Sequence, residues 1–362
     1  ALSDTKEDNV ATNGNLERYS GRLNFSNKYK GFDLAMNAIF SLTKQKSLPG
    51  STYYSNPMYA LKAALHPSIP IYNEDGSYYT NIPQINNYNP LKENDNNIHT
   101  DRTARTFASI EAGYTFIEGL RLSTVFNVDY TETKGFRYFS PLSSDGIAGN
   151  GQGDVNSTEN ITYNSQTRLS FARTFGGHSV DVLAGYEVKN WKREYMAGRA
   201  QNYATDKKEV LDNASSLMYI GHNKDSDALV SYVARANYDY LKRYYLSVSF
   251  RRDGSSRLHT SNRWDNFWAV SGAWRLTQEE FMKNVTWLNE AKLRVSYGVN
   301  GNIPNGLYSY YGLYSLGYSY NDQPGMVESS LANNTLSWER NYALNAGIDF
   351  RLFGRVGVSF DR

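Results

Sequence analysis

Apolar and polar residues alternate along most of the chain, and the alternation is clearest between Tyr244 and Leu276. On the first arm of this stretch the apolar face consists of Leu246, Val248 and Phe250. On the second arm it consists of Trp268, Val270, Gly272, Trp274 and Leu276. A period of two is typical of a β-strand with one apolar and one polar face. We therefore predict a hairpin, with a polar connection from Arg252 to Asn266 and a positive-φ turn at Asp253-Gly254.

The same alternation recurs and predicts about twelve strands joined by alternating short and long connections. The predicted short connections are 26–31, 117–119, 176–177, 241–243 and 353–354. The predicted long connections are 44–102, 134–159, 192–226, 252–266 and 298–334. Apolar spacing in 278–288 predicts a small helical cap on an otherwise short connection.

The polar faces of these strands distinguish a membrane barrel from a water-soluble sandwich. They carry many charged residues, among them Asp33, Arg121, Arg235 and Asp349, and burying such groups unpaired would cost several kcal/mol each. A membrane barrel instead turns its apolar face to lipid and its polar face to a wet lumen, with long loops on the extracellular side. The sequence thus predicts an all-β, antiparallel transmembrane barrel segment with short periplasmic turns.

Composition excludes several classes of protein and of site but indicates no catalytic residue. The formal net charge is only +2, which argues against a nucleic-acid partner. The 30 tyrosines suit interfaces between water and an apolar phase. The absence of cysteine excludes disulfides and thiolate metal sites. The mean hydropathy is −0.61. No apolar run in the sequence approaches the roughly 18 residues of a transmembrane helix.

Several segments, taken in chain order, resemble the SusC/RagA-type TonB-dependent outer-membrane transporters. The resemblance rests on NFSNKYKGFDLAMNAIFSLTKQ, PIYNEDGSYY, FRRDGSSR, SNRWDNFWAVSGAWRLTQEEF, LNEAKLRVSYGVNGN and LSWERNYALNAGIDFRLFGRVGVSFD. It covers nearly the whole chain. Because complete members carry a plug domain, a TonB box and roughly 22 strands, it implies that residues 1–362 form a partial barrel domain. The plug, the box and the C-terminal strands are then expected outside this sequence.

The resemblance implies TonB-dependent import of large nutrients, either glycans or oligopeptides, by a barrel of a Gram-negative outer membrane. The implied partners are a SusD-like surface lipoprotein, TonB-ExbB-ExbD acting through the plug, and outer-membrane lipid. Two alternatives stay open: a passive porin or siderophore-type barrel, and a soluble all-β glycan-binding surface module. An outer-membrane hydrolase is a weaker third, since no Gly-x-Ser-x-Gly elbow or Ser/His pairing is present.

Candidate ligand sites are confined to the predicted loops and their bases. Tyrosines combine large contact area with a hydrogen-bonding tip, and the substrate-binding candidates are Tyr78, Tyr79, Tyr138, Tyr308, Tyr310 and Tyr311, with a further pair at Tyr53-Tyr54. The motif residues Arg251, Arg252, Asp253, Gly254, Arg257, Trp264 and Trp274 are expected to form the wall; the charged ones could also touch a ligand.

The sequence gives no catalytic residues and no cofactor. The five histidines are never at the i, i+3 or i, i+4 spacing of a helical metal site. The glycine-rich run 149–153 lacks the Gly-Lys-Ser/Thr of a phosphate loop. An extracellular calcium turn through Asp145 and Asp154 is the one ion site the residues leave open.

Overall fold

The structure is a computed structural model that describes residues 1–9, 13–47, 56, 58, 60, 62 and 65–362. The predicted tyrosine pair Tyr53-Tyr54 lies outside the described residues. Fifteen strands form within them. The strands are β1 (Leu2–Asp8), β2 (Asn15–Tyr29), β3 (Phe32–Lys46), β4 (Ile98–Ile117), β5 (Leu120–Phe139), β6 (Gln152–Phe175), β7 (His178–Tyr203), β8 (Ala214–Tyr240), β9 (Tyr244–Ser255), β10 (Trp264–Arg275), β11 (Leu288–Asn302), β12 (Leu313–Tyr320), β13 (Gln323–Ser330), β14 (Glu339–Leu352) and β15 (Val356–Asp361).

Thirteen of these strands form one antiparallel sheet in sequence order, β1 to β11 followed by β14 and β15. The strands β12 and β13 form a separate hairpin inserted between β11 and β14. The predicted all-β, antiparallel class is confirmed, with one strand more in the main sheet than the estimate of about twelve. No helix of the described part of the chain is both long and apolar enough to span a bilayer.

The two faces of the sheet have the solvent exposure expected of a membrane barrel. Leu246 is 48% exposed and Trp268 is 40% exposed, so within the described residues no second layer of protein covers the apolar face. Aromatic residues flank this face at both ends. Those near the short connections are Tyr29, Tyr114, Phe175, Tyr240, Tyr244, Trp274 and Phe353; those further along the strands, on the side of the long connections, are Tyr19, Tyr130, Tyr163, Tyr186, Tyr232, Trp264 and Trp268. Two such girdles bounding an apolar band are typical of transmembrane barrels.

The short connections are tight turns, each with one or two residues in the left-handed region. Lys30 and Gly31 have φ values of 45° and 83°, and Phe353 and Gly354 have 54° and 65°. These values match the two-residue hairpin turns that the right-handed twist of strands favours. The exception is the connection between β10 and β11, which contains two 3₁₀ turns, Leu276–Gln278 and Glu280–Met282.

The helix predicted over 278–288 is therefore wrong. Glu279 lies between the two 3₁₀ turns with φ −82° and ψ 150°, an extended conformation. Its carboxylate accepts hydrogen bonds from the Tyr244 hydroxyl (2.6 Å) and Trp274 Nε1 (3.0 Å). These contacts fix Glu279 against the aromatic girdle, and an extended residue cannot belong to a continuous helix.

Several predicted loops are in fact strand. β6, β7 and β8 are 24, 26 and 27 residues long, whereas about 9–11 residues cross a bilayer. Much of the predicted loops 134–159 and 192–226 therefore continues the sheet beyond the membrane as an extracellular wall. Both faces of these extensions meet water, so the apolar–polar alternation that predicts strands is lost there.

The predicted turn at Asp253-Gly254 is also wrong. Both residues lie inside β9, where they pair with Asp265 and Trp264 of β10. A Cβ on Gly254 would lie 2.7 Å from the Trp264 ring. Glycine is required here because the aromatic ring approaches the backbone closely, and not because the backbone has a positive φ. The connection between β9 and β10 comes later, at 256–263.

The long loop between β3 and β4 contains ordered structure that the sequence did not predict. It holds a 3₁₀ turn, Pro83–Ile85, and a short helix, α1 (Pro90–Asn96). Asn89 caps α1, its Oδ1 accepting from the backbone N–H groups of Leu91 (3.0 Å) and Lys92 (3.2 Å). The buried side chains of Ala60, Ile82 and Ile85 form a small apolar core under the loop.

Candidate functional site

The polar face of the sheet, which lines the lumen of a barrel, is held together by ion pairs across neighbouring strands. Arg121 on β5 bonds Asp33 on β3, and the guanidinium passes over Gly113 of the intervening strand. A Cβ on Gly113 would lie 2.8 Å from Asp33 Oδ2. Arg294 repeats the arrangement over Gly347, contacting Asp349 (3.0 Å) and Asp361 (2.6 Å). Glycine thus lets one arginine bridge strands that are not adjacent.

Arg251 and Asp253 of the predicted motif lie on the lumen side of β9 at the upper edge of the membrane band. Arg251 Nε donates to both Asp253 oxygens (2.7 and 2.8 Å), and Nη2 donates to Ser231 Oγ (2.7 Å). A further contact joins Arg251 Nη1 to Glu187 Oε2 at 3.5 Å. Asp253 and Ser231 are both buried. Such charge-assisted bonds fix the wall on β7, β8 and β9.

The rest of the motif supports the wall at different heights. Arg257 donates to Asp227 Oδ2 through Nε (3.0 Å) and Nη2 (2.8 Å) and reaches the Pro304 carbonyl at 3.3 Å. Arg252 lies over the Trp264 ring on the outward face, 5.7 Å from its centroid. Trp274 lies in the opposite girdle. These contacts support the expected role in the wall; contact with a ligand stays a prediction.

Three of the tyrosine candidates belong to an interlocked group of extracellular loops. Tyr138 is 1% exposed, and its hydroxyl donates to Asp206 in the loop between β7 and β8 (2.8 Å). Burial and this bond raise the pKa of Tyr138. Tyr78 donates to Asp95 (2.6 Å), which raises its pKa to about 12. Tyr79 packs against the core of the loop between β3 and β4.

The other three tyrosines precede the hairpin β12–β13. The Tyr308 hydroxyl accepts from the Ser226 backbone N–H (3.2 Å), and Tyr310 is buried against Tyr311 with ring centroids 4.0 Å apart. Tyr311 keeps 48% of its surface exposed. The six candidates therefore lie in two separate groups. Ring faces and hydroxyls used in packing are less available to a ligand, and the binding role stays a prediction for all six.

Loop packing also places the two calcium candidates. Asp145 Oδ1 accepts from the Tyr88 hydroxyl (2.9 Å), and Asp154 pairs with Arg199 (2.5 Å). The buried Glu93 of α1 accepts from the Ser144 backbone N–H (2.8 Å) in the same loop as Asp145. Each carboxylate thus has a partner in the protein, and calcium stays a hypothesis.

The structure reveals lumen-side residues above the membrane that the loop-based search missed. Trp191 and Tyr195 on β7 share the face of Glu187, and Arg193 lies between them, 5.6 Å from the Tyr195 centroid. Trp191 pairs with Thr162, and Arg193 with Asn160, on β6. Both aromatic side chains are half-buried. Continuing the alternation along β7 from Glu187, taking every second residue, would have placed Trp191, Arg193 and Tyr195 on the lumen face.

Sequence comparison places this architecture in a family. The chain is 26% identical to the TonB-dependent receptor SusC of Bacteroides thetaiotaomicron over 100% of its own length. It is 31% identical over 82% of its length to a TonB-dependent receptor of Formosa agariphila, and 28% identical over 98% to a second one. The chain belongs to the SusC/RagA-type TonB-dependent receptors. It spans between 29% and 38% of the length of these relatives.

No protein-family model matches this receptor chain. Among solved structures, the RagAB peptide transporter superposes with a TM-score of 0.82 at 22% identity, over 96% of this chain and 40% of that one. The siderophore receptor PiuA of Acinetobacter baumannii superposes with a TM-score of 0.52 at 12% identity, over 99% and 51%. At such identities the likeness shows the fold: the receptor chain forms part of a TonB-dependent barrel wall.

Proposed function

We propose that this chain is part of a TonB-dependent receptor that imports a large nutrient, a glycan or an oligopeptide, across a Gram-negative outer membrane. The observation that carries the proposal is the division of the sheet into an apolar outer face between two aromatic girdles and a charged lumen face. Relatives named TonB-dependent receptors, SusC among them, support it. The mechanism is conformational gating, and the barrel wall performs no bond chemistry.

The extracellular wall supplies the first contacts in this proposal. Trp191 and Tyr195 offer flat apolar faces for sugar rings or peptide side chains, and Asn160, Thr162 and Arg193 offer hydrogen bonds beside them. A SusD-like lipoprotein is the proposed partner at this side. A plug contributed by the rest of the receptor is the proposed contact of TonB. The RagAB structure, solved for a peptide transporter, supports the peptide alternative.

A growth experiment tests the proposal. The gene is deleted, and the strain is grown on single glycans or on an oligopeptide digest as the limiting nutrient. We expect one nutrient class to lose growth, and the full-length gene to restore it. Growth that is unaffected on every polymer, with loss only under iron limitation, would contradict nutrient import and favour the siderophore-type alternative.

A double variant tests the binding surface. Trp191→Ala with Tyr195→Ala, in the full-length receptor, should raise the nutrient concentration needed for half-maximal growth about thirtyfold, because each of the two stacking contacts contributes on the order of 1 kcal/mol. Met196→Ala is the matched control, since Met196 is adjacent but 54% exposed on the outer face. Equal behaviour of the two variants would remove Trp191 and Tyr195 from the binding surface.

A further inference from the structure

Three cations stand in one cross-strand row on the outward face, just above the apolar band. The register pairs Lys44 of β3 with Arg102 of β4, and Arg102 with Lys134 of β5. Like charges directly opposite one another destabilise a sheet. The row therefore needs anions nearby if it is to contribute to a stable wall.

Side chains of the described residues neutralise a neighbouring acidic row but leave most of the basic row without ion-pair partners. The acidic row is Glu132, Glu159 and Glu194 on β5, β6 and β7. Lys134 contacts Glu132 at 2.8 Å, and Glu194 is contacted by His222 (2.9 Å) and Lys224 (3.1 Å).

Lys44 and Arg102, in contrast, form no ion pair with any described residue. Glu17 is paired with Lys44 in the register of β2 and β3. Its carboxylate, however, accepts from the Tyr19 hydroxyl at 3.3 Å and is not within ion-pair distance of Lys44. Lys46, one outward position above Lys44, also has no ion pair among the described residues. The described residues therefore supply no counter-charge to these exposed cations, which leaves them available to an anion.

A groove of about 760 Å³ lies directly below these cations, on the membrane side. Tyr19, Gly21, Phe40, Leu42, Ala104 and Thr106 are among the residues that line it. The small side chains of Ala104 and Thr106, with Gly21, leave space between the larger rings of Tyr19 and Phe40. Most of the groove surface is apolar and continuous with the lipid-facing band, so a hydrocarbon chain fits its chemistry, while Asp4 of β1 contributes a carboxylate to the lining.

We infer that this surface binds a phosphate-bearing glycolipid of the outer leaflet, of the lipid A type. Its phosphates contact Lys44, Lys46 and Arg102, and one acyl chain lies in the groove below. Arginine pairs with phosphate through two parallel hydrogen bonds, and lysine adds a point charge. Cations at the headgroup level beside a hydrocarbon groove are typical of lipid recognition. The site requires only that the apolar face lie in the membrane, whatever the receptor imports.

Native mass spectrometry of the full-length receptor in detergent tests the inference. The probes are bisphosphorylated lipid A, its fully dephosphorylated form, phosphatidylethanolamine and inorganic phosphate. We expect retention of bisphosphorylated lipid A only. The double variant Lys44→Gln with Arg102→Gln should weaken its binding about tenfold or more, because each cation near a charged lipid surface contributes measurably to affinity.

The matched control is Lys30→Gln with Lys192→Gln, which removes the same charge from a turn at the opposite girdle and from an outward position on β7. It should bind like the wild type. Lys44→Arg with Arg102→Lys should also keep binding, which separates lost charge from failure to fold. The inference fails if dephosphorylated lipid A binds equally, if both doubles lose binding alike, or if inorganic phosphate alone binds without any lipid preference.

Discussion

At the scale of single residues, charge-paired hydrogen bonds hold the lumen side of the wall together. The motif arginines and Asp253 were expected in the wall, and their bonds on the lumen side support that role. The role of Gly254 could not be predicted, because the Trp264 ring that excludes a side chain there lies on the next strand. Tyr138 could not be told from an exposed loop tyrosine, since its burial depends on Asp206, 68 residues away.

Tyr138→Phe separates the structural from the binding role of that residue. Removing the hydroxyl leaves the partly buried Asp206 carboxylate with Ser140 Oγ (3.0 Å) as its remaining side-chain donor. We expect a local cost on the order of 1–2 kcal/mol and faster trypsin cleavage at Lys207-Lys208 in the adjoining loop, with growth on the nutrient unchanged. Tyr314→Phe on the exposed hairpin is the control. Impaired growth with unchanged proteolysis would instead assign Tyr138 to the ligand.

A pH titration examines the ion pair between Asp265 and Arg340 above the membrane. The Arg340 guanidinium bonds to Asp265 and lowers the pKa of that carboxyl below its ordinary value of 3.8. Because the folded-state pKa is the lower one, the pair stabilises the fold above pH 3.8, and this contribution is lost as the pH falls further.

The nearby Trp338 ring, which packs on Phe267 (centroids 5.3 Å apart), reports the loss by fluorescence. We expect the wild-type emission to hold at pH 4 and to shift only below 3.8. Asp265→Asn should show the shifted emission already at neutral pH and no transition in this window. A wild-type transition at pH 5 would contradict the lowered pKa.

At the scale of elements, the alternating pattern predicted strands wherever one face meets lipid and failed where both faces meet water. The lower halves of β6, β7 and β8 alternate, and their positions were predicted correctly. Their upper halves carry polar residues on both faces, for example Asn156 and Ser157, and were assigned to loops. Pairing with neighbouring strands, which one segment does not encode by itself, extends these strands outward.

Arginine substitution on the two faces of β10 measures the difference between their solvents. Val270 is 39% exposed on the outward face near mid-height, and Ser271 points to the lumen beside a cavity of about 450 Å³. Val270→Arg in the full-length receptor should lower the free energy of unfolding in lipid vesicles by about 2–4 kcal/mol. Ser271→Arg should cost much less, since its charge meets water. Equal costs would contradict the assignment of the faces.

Alanine at Gly113 tests whether strand glycines carry the arginine bridges. The added Cβ would lie 2.3 Å from Arg121 Nη2, so the guanidinium must leave Asp33. We expect a loss of about 1–3 kcal/mol in unfolding free energy, from the broken bonds and the backbone shift. Gly357→Ala on β15 is the matched control, because nothing lies within 4 Å of its added Cβ. A tolerated Gly113→Ala would show that Arg121 reaches Asp33 by another route.

At the scale of the whole molecule, the resemblance predicted the family and the barrel, and the register of the sheet agrees with both. Packing among the loops was beyond the sequence. Asn97 after α1 binds the Ser140 backbone (3.1 Å), and Ser140 binds Asp206 (3.0 Å), so three loops separated in sequence form one unit. Polar loop residues carry no periodic pattern from which such pairings could be predicted.

The outermost strands of the sheet give the last prediction. Within the described residues, β1 pairs only with β2 and β15 only with β14, so one edge of each is without a partner. Unpaired edges of a curved sheet associate with other chains, and relatives more than twice as long as this chain supply further sequence. We therefore expect residues 1–362, refolded alone into detergent, to form oligomers without heat-modifiable gel migration. The full-length receptor under the same conditions should give a heat-modifiable band. A monomeric, heat-modifiable species from residues 1–362 would mean that the two edges close on each other, and that thirteen strands suffice for a barrel.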